Sequence, residues 1–256
     1  MFGARILSVL GPILSFGALA WIFKTPEDFY YLLVASLVVI GFSLWRLFSL
    51  SQVVKGFKER FVYLVFSLLL IFTSQVLLII LEDALIKWGI WLLGLILTLW
   101  YFNNLFKRLF SQKLFIFHES ALLFNLYETL IVFFMVSSLF GLKDFVGYYL
   151  AYLFLTLAVI VFFLVWGNLT VSELKQGDEW SYALLTTVVA AELFWAIAAL
   201  SLIFYLKGVV FAFIYLVFLS YRLSVIDPGF SRKYFKYYVI FSLIVVLMIL
   251  LTAKWF

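Results

Sequence analysis

Cysteine is absent from this chain of 256 residues, and histidine occurs once, as His118. The first absence excludes disulfides, thiolate metal sites, iron–sulfur clusters and cysteine nucleophiles. A single histidine leaves no histidine-rich metal site within one chain. No P-loop, zinc-protease or serine-hydrolase motif occurs either. We therefore expect no cofactor and no metal site, and we favour a function that is not enzymatic.

Charged residues are also scarce. They make up 12% of the chain, whereas hydrophobic residues make up 67% and the mean hydropathy is +1.20. Globular domains in water are nearer half apolar and a quarter charged, so a soluble fold of this length cannot bury so much apolar surface. Lipid must surround most of the chain. We predict an all-α polytopic transmembrane bundle in which residues 1–256 form a single membrane domain.

Long apolar runs divide the chain into predicted membrane spans. A helix needs about 20 apolar residues to cross a hydrocarbon core of ~30 Å. The eighth run is short, so it either crosses with little tilt, thins the bilayer or is re-entrant. The nine predicted spans are Arg5–Phe23, Tyr30–Leu50, Phe61–Leu81, Ala84–Phe106, Ser120–Leu142, Phe145–Gly167, Ser181–Leu206, Gly208–Leu223 and Tyr237–Ala253.

The cations between these spans predict an orientation. With the N-terminus inside, thirteen of the 18 lysines and arginines fall on the cytoplasmic side. Cytoplasmic loops carry such an excess, so we predict the N-terminus inside and the C-terminus outside. Because membrane topology explains the positive charge, we expect no nucleic-acid partner. The first run also imitates a signal peptide that ends at Ala18-Leu19-Ala20. Because Gly11-Pro12 interrupts it and further spans follow at once, we favour an uncleaved first helix.

Two acidic residues, Glu128 and Glu192, lie deep inside the fifth and seventh predicted spans. An ionised carboxylate there is costly unless it is paired or hydrated. Asn125 precedes Glu128 by one helical turn and Trp195 follows Glu192 by one, so each shares a helix face with its glutamate. One interpretation is a proton or cation site near mid-depth. The alternative is two protonated glutamates that join helices by hydrogen bonds, since we expect no intramembrane cation beside them.

A spacing of fifteen residues separates Glu128 from Lys143, and the same spacing separates Glu192 from Lys207. The match suggests a hairpin repeat, 119–167 and 181–223. If the repeat is real, it is a parallel one, because both glutamates lie on predicted helices that run from inside to outside. Parallel repeats of this kind occur in transporters whose shared site lies near the midplane.

Cations mixed with aromatic residues precede the last predicted span. Such a segment suits anionic lipid headgroups on the cytoplasmic face, and the expected contacts are Arg232, Lys233 and Lys236. His118-Glu119 opens the fifth span and is typical of an ordinary membrane boundary. A lipid-modifying enzyme that uses this pair is the third candidate function.

The segment Ala191-Glu192-Leu193-Phe194-Trp195-Ala196 resembles one found in uncharacterised multi-pass membrane proteins of reduced-genome bacteria. The likeness covers one hairpin, and residues 201–208 lack the proline that many of those proteins carry in the outer turn. The resemblance implies a bacterial inner membrane and no particular activity. Two functions stay open: a small transporter or channel-like protein, and a non-catalytic scaffold or subunit, as a homo-oligomer or with a protein partner.

Overall fold

A computed structural model describes residues 2–23, 26–51, 56–110, 117–171, 179–226 and 232–252. All regular structure in these ranges is helical, and nine of the helices are long and apolar enough to cross a membrane. The prediction of an all-α, multi-pass membrane protein with nine spans is confirmed. In chain order the helices are α1 (Phe2–Ala20), α2 (Phe29–Leu50), α3 (Phe57–Ile80), α4 (Ala84–Phe110), α5 (Phe117–Val146), α6 (Leu150–Val171), α7 (Glu179–Ala198), α8 (Phe204–Ile226) and α9 (Arg232–Thr252).

The eighth helix is longer than the sequence predicts. It begins at Phe204 rather than at Gly208 and contains 23 residues, so it rises about 34 Å at 1.5 Å per residue, enough for a full crossing. The chain reverses earlier than expected, after Ala198, where α7 ends. This turn contains neither proline nor glycine and lies in apolar sequence. Neither a turn residue nor a drop in hydropathy therefore marks it.

Two other helix ends have clear local causes. Gly147 follows α5 with a φ of 74°, which glycine adopts without a Cβ clash. Its N–H donates to the carbonyl oxygen of Lys143 at 3.1 Å and caps the helix. At the start of α4, Asp83 Oδ1 accepts hydrogen bonds from the N–H groups of Leu85 and Ile86 at 2.8 and 3.2 Å. This N-cap satisfies donors that the helix itself leaves unpaired.

The described chain divides into two compact units, Met1–Ser120 and Ala121–Phe256. In the first unit, α1 packs against α2 and α4, and α3 packs against the same two helices. In the second unit, α6 packs against α7, and α8 packs against both α7 and α9. The single membrane domain and the hairpin repeat within it remain predictions.

The first unit combines close apolar packing with a few buried polar bonds. Trp91 Nε1 of α4 donates to the carbonyl oxygen of Phe16 in α1 at 2.8 Å. A Cβ atom added to Gly94 would lie 2.8 Å from the Phe16 ring, so the missing side chain lets α4 approach α1 closely. Between α2 and α3, Gln75 Nε2 donates to the hydroxyl of Ser36 at 2.6 Å.

Helix α5 is the most buried of the membrane-length helices that lie in the second unit. Of an 18-residue stretch within Phe124–Val146, 61% of the residues are buried, against 6% for Phe235–Thr252 of α9. The Phe140 ring of α5 stacks on Phe194 of α7 with a centroid distance of 4.4 Å. A Cβ atom at Gly208 of α8 would overlap Ser137 of α5, so these two helices also meet at close range. Polar side chains of α5 contact α6 and α8, and these contacts form the candidate site.

Candidate functional site

Glu128 of α5 is completely buried. Each of its carboxylate oxygens accepts a hydrogen bond from a different helix. The Tyr215 hydroxyl of α8 donates to Oε1 at 2.5 Å, and the Asn168 amide of α6 donates to Oε2. Protein donors therefore satisfy this carboxylate in place of water.

Asn125, one turn before Glu128, connects the carboxylate to a buried cation. Arg222 of α8 is 2% exposed and donates from Nη2 to Asn125 Oδ1 at 3.0 Å. The Asn168 amide donates to the same oxygen at 3.0 Å, while Asn125 Nδ2 donates to the carbonyl oxygen of Leu219 at 3.4 Å. One continuous network thus joins three helices. We call it the Glu128–Arg222 cluster: Asn125, Glu128, Asn168, Tyr215 and Arg222.

The guanidinium of Arg222 is only partly satisfied. Its Nε and Nη1 atoms are buried and have no hydrogen-bond partner among the described residues. The guanidinium carbon lies 5.9 Å from the centre of the Tyr182 ring of α7, a cation–π contact. Arginine stays charged in proteins, and a buried polar group without a partner calls for an explanation.

The sequence predicts no intramembrane cation near the two glutamates, and this prediction is wrong. Arg222 is buried within the last two turns of α8, which continues to Ile226. At the predicted end of a span an arginine is readily interpreted as a loop charge, which hides its role. The sequence does not predict Asn168 as a site residue for a similar reason. The predicted sixth span stops at Gly167, whereas α6 continues to Val171.

Glu192 does not join the cluster. Its side chain is exposed on α7, and Trp195 on the same helix is 53% exposed and contacts the Phe154 ring at 6.1 Å. The structure therefore brings Asn125 and Glu128 together but keeps Glu192 and Trp195 on an exposed helix face. An ion or proton site at these residues remains a prediction.

The predicted headgroup contacts fall on the first turns of α9, which begins at Arg232. Lys236 is exposed, whereas the side chains of Arg232 and Lys233 lie outside the described part of the structure. The same holds for the side chains of His118 and Glu119 in the first turn of α5. Contact with anionic lipid remains a prediction.

An apolar groove of about 290 Å³ lies beside the cluster. It runs between α7 and α8, with Thr186 and Ala190 on one side and Tyr215 and Phe218 on the other, and Phe235 of α9 contributes to its wall. Tyr215 therefore lines the groove and also binds Glu128. A single side chain connects this apolar surface to the buried carboxylate.

Comparisons with protein-family models, curated proteins and solved structures find no match. Within the described ranges, no three His, Cys, Asp or Glu side chains converge to hold a metal ion. The chemistry available at the site is therefore that of one carboxylate, one guanidinium, two amides and the tyrosine hydroxyl. These groups can bind and release a proton, and they can donate several hydrogen bonds to a ligand.

Proposed function

We propose that this chain is a small membrane transporter that binds a proton at Glu128 while it moves a solute across the bilayer. One observation carries the proposal: Glu128 and Arg222, of opposite charge, are both buried among membrane-spanning helices. Ionisable side chains are expensive in such helices, and where they occur they mark substrate pathways and proton relays.

The contacts of Glu128 suit both of its protonation states. When it is ionised, its two oxygens accept from Tyr215 and Asn168. When it is protonated, its own O–H needs an acceptor, and a tyrosine hydroxyl accepts as well as donates. The 2.5 Å contact with Tyr215 can therefore hold either state without a movement of the helices.

A purely structural role explains Glu128 less well than a functional one. Neutral hydrogen-bonding groups join membrane helices effectively, and they bring no charge into the bilayer. Replacing buried charged pairs with apolar residues is often neutral or stabilising. The presence of Arg222 alongside Glu128 therefore favours a function that needs charge.

The excess of lysine and arginine in alternate loops supports an orientation with the N-terminus inside and the C-terminus outside. In this orientation the end of α8 that carries Arg222 lies toward the cytoplasm. Resemblance of the Glu192 segment to bacterial proteins supports a bacterial inner membrane as the location.

Transport is tested in proteoliposomes that contain a trapped pH-sensitive dye, with the voltage held at zero. Acid is applied outside together with monocarboxylates, inorganic phosphate, amino acids or sugars, one class at a time. We expect the wild type to acidify the interior with one of these classes and Glu128→Gln to abolish this response. Glu192→Gln is the matched control and should behave like the wild type. A Glu128→Gln variant as active as the wild type, or a wild type without solute-dependent acidification, would refute the proposal.

The second candidate is a subunit of a larger membrane complex, and the position of Glu192 favours it. This exposed residue lies about 9 Å before the end of α7, by helical rise. Because a carboxyl group that faces lipid is costly, a second copy or another chain would stabilise it. Native mass spectrometry from mild detergent tests this candidate. An assembly that Glu192→Leu weakens supports it, and a wild-type monomer argues against it.

A further inference from the structure

On the basis of the proposed function, we infer that the transported solute is a small monoanion, a carboxylate or a phosphate, that binds at Arg222 together with the proton at Glu128. The structure contains a buried guanidinium with two nitrogens that have no acceptor among the described residues, and a neighbouring carboxyl group whose charge changes with protonation. The guanidinium determines that the ligand is an anion, and the protonation state of Glu128 determines when the anion binds.

The guanidinium of Arg222 supplies the binding group. Its Nη2 atom donates to Asn125, but Nε and Nη1 have no acceptor in the described part of the chain. A guanidinium is planar and presents paired donors along its edges, and these match the two oxygens of a carboxylate or phosphate. Nε and Nη1 lie on different edges of the guanidinium, and each shares its edge with Nη2. A bidentate oxyanion would therefore pair with one of them and with the second N–H of Nη2.

Charge balance couples the anion to the proton. With Glu128 ionised and no ligand bound, the cluster holds one negative and one positive group and is neutral. Protonation of Glu128 leaves Arg222 as an uncompensated buried cation, and a monoanion then restores neutrality. Because net charge is costly in these surroundings, each ligand strengthens the binding of the other, and this coupling is reciprocal.

The remaining ionisable groups around the cluster do not disturb this balance. Tyr182 of α7 lies against the guanidinium, Tyr215 of α8 contacts the carboxylate, and Tyr221 lies near Tyr182. Tyrosine is ordinarily neutral at physiological pH. Among the described groups that face one another here, Glu128 and Arg222 carry the charge.

Access requires a conformational change. The Nε and Nη1 atoms are buried in this arrangement, so an anion reaches them only after neighbouring groups, the Tyr182 ring among them, move away. A site that closes over its ligand and reopens is the essential feature of alternating access in transporters.

Binding is measured by equilibrium dialysis of radiolabelled acetate and inorganic phosphate against the purified full-length chain. We expect the wild type to bind one of these probes more tightly at mildly acidic than at mildly alkaline pH. Glu128→Gln, which resembles the protonated state, should bind acetate, whose own charge does not change over this pH range, as tightly at both pH values. Arg222→Gln should weaken binding at least about tenfold, because it removes charge-assisted hydrogen bonds. Arg46→Gln, which alters an exposed arginine of α2, is the matched control and should change nothing.

Arg222→Gln can also lose binding through misfolding, because this variant leaves Glu128 without its counter-charge. The double variant Glu128→Gln/Arg222→Gln removes both charges, so it avoids an isolated buried charge, and it should bind neither probe. Unchanged binding in the double variant, or no binding of either probe to the wild type, overturns the anion site.

Failure of the anion site and failure of the proposed transport give different results. Proton entry that depends on Glu128 but accompanies a neutral or cationic solute leaves the proposed function standing and refutes the anion site. Anion binding that depends on Arg222, without any proton entry in proteoliposomes, refutes the transport proposal and retains the site.

Discussion

Arg222 of α8 donates its 3.0 Å hydrogen bond to the Asn125 side chain of α5, one helical turn from Glu128. The chain of hydrogen bonds between the two buried charges therefore runs through the amides of Asn125 and Asn168. Glu128 depends for its hydrogen bonds on Tyr215 and Asn168 and not on a direct ion pair. A carboxylate held in this way can exchange a proton without breaking a salt bridge, which distinguishes this arrangement from a purely structural buried pair.

The Asn168 amide is shared by two acceptors, so its removal should destabilise the protein. Asn168→Leu leaves Asn125 Oδ1 and Glu128 Oε2 without a common donor, and such a loss costs about 1–3 kcal/mol. Thermal unfolding in detergent measures the change. Thr170→Val is the control, because the Thr170 hydroxyl donates only to the Trp166 carbonyl of its own helix, at 2.9 Å. Equal unfolding temperatures for both variants would contradict the assigned bonds.

The contact between Tyr215 and Glu128 should appear as a coupling energy. In a double-mutant cycle of Tyr215→Phe and Glu128→Leu, we expect non-additivity of about 0.6–1.7 kcal/mol, the range found for hydrogen bonds inside membranes. Free energies of unfolding in detergent provide the four values. Tyr205→Phe on the same helix is the control, since its ring packs against Phe204 and not against the cluster. Additive effects for the Tyr215 pair would show that the contact does not form.

The number and type of the helices are predictable from the sequence, but the turns between them are not. Apolar runs of spanning length indicate burial in lipid whichever helices become neighbours. The sequence around Ala198 is uniformly apolar, so nothing in it marks the turn that follows this residue. Gly208 wrongly indicates a turn, because this glycine instead allows α8 to pack closely against α5. The predicted eighth span was short for this reason.

Two of the five residues in the Glu128–Arg222 cluster are predictable from the sequence. Glu128 and Asn125 share one helix face, so their spacing places them together. The partners Asn168, Tyr215 and Arg222 come from other helices, and no pattern within a single sequence shows which helices meet. Glu192 has a similar position within its predicted span, but a helix that is apolar on all sides does not indicate which face is buried.

Ser36 and Gln75 in the first unit should respond unequally to substitution. Gln75 Nε2 donates to the Ser36 hydroxyl at 2.6 Å, while its Oε1 atom has no partner among the described residues. Ser36→Ala leaves the buried amide without this bond, at a cost of about 1–3 kcal/mol. Gln75→Leu removes the whole polar group, and Ser36 keeps its bond to the Leu33 carbonyl at 2.8 Å, so we expect a smaller loss. Chemical unfolding of both variants checks the order, and the reverse order would contradict it.

Gly208 should resist substitution because α5 and α8 meet there. A Cβ atom at this position would overlap the Ser137 side chain and lie 3.1 Å from its backbone nitrogen, and overpacking of this kind costs about 1–3 kcal/mol. We expect Gly208→Ala to lower the unfolding temperature in detergent. Adding Ser137→Ala should recover part of the loss, because it removes the hydroxyl that the new methyl group meets first. Gly41→Ala in α2 is the control, since nothing lies within 4 Å of its added Cβ and alanine favours a helix over glycine by about 0.5–1 kcal/mol. If Gly208→Ala proved as stable as Gly41→Ala, then α5 and α8 could not approach as closely as the Glu128–Arg222 cluster requires.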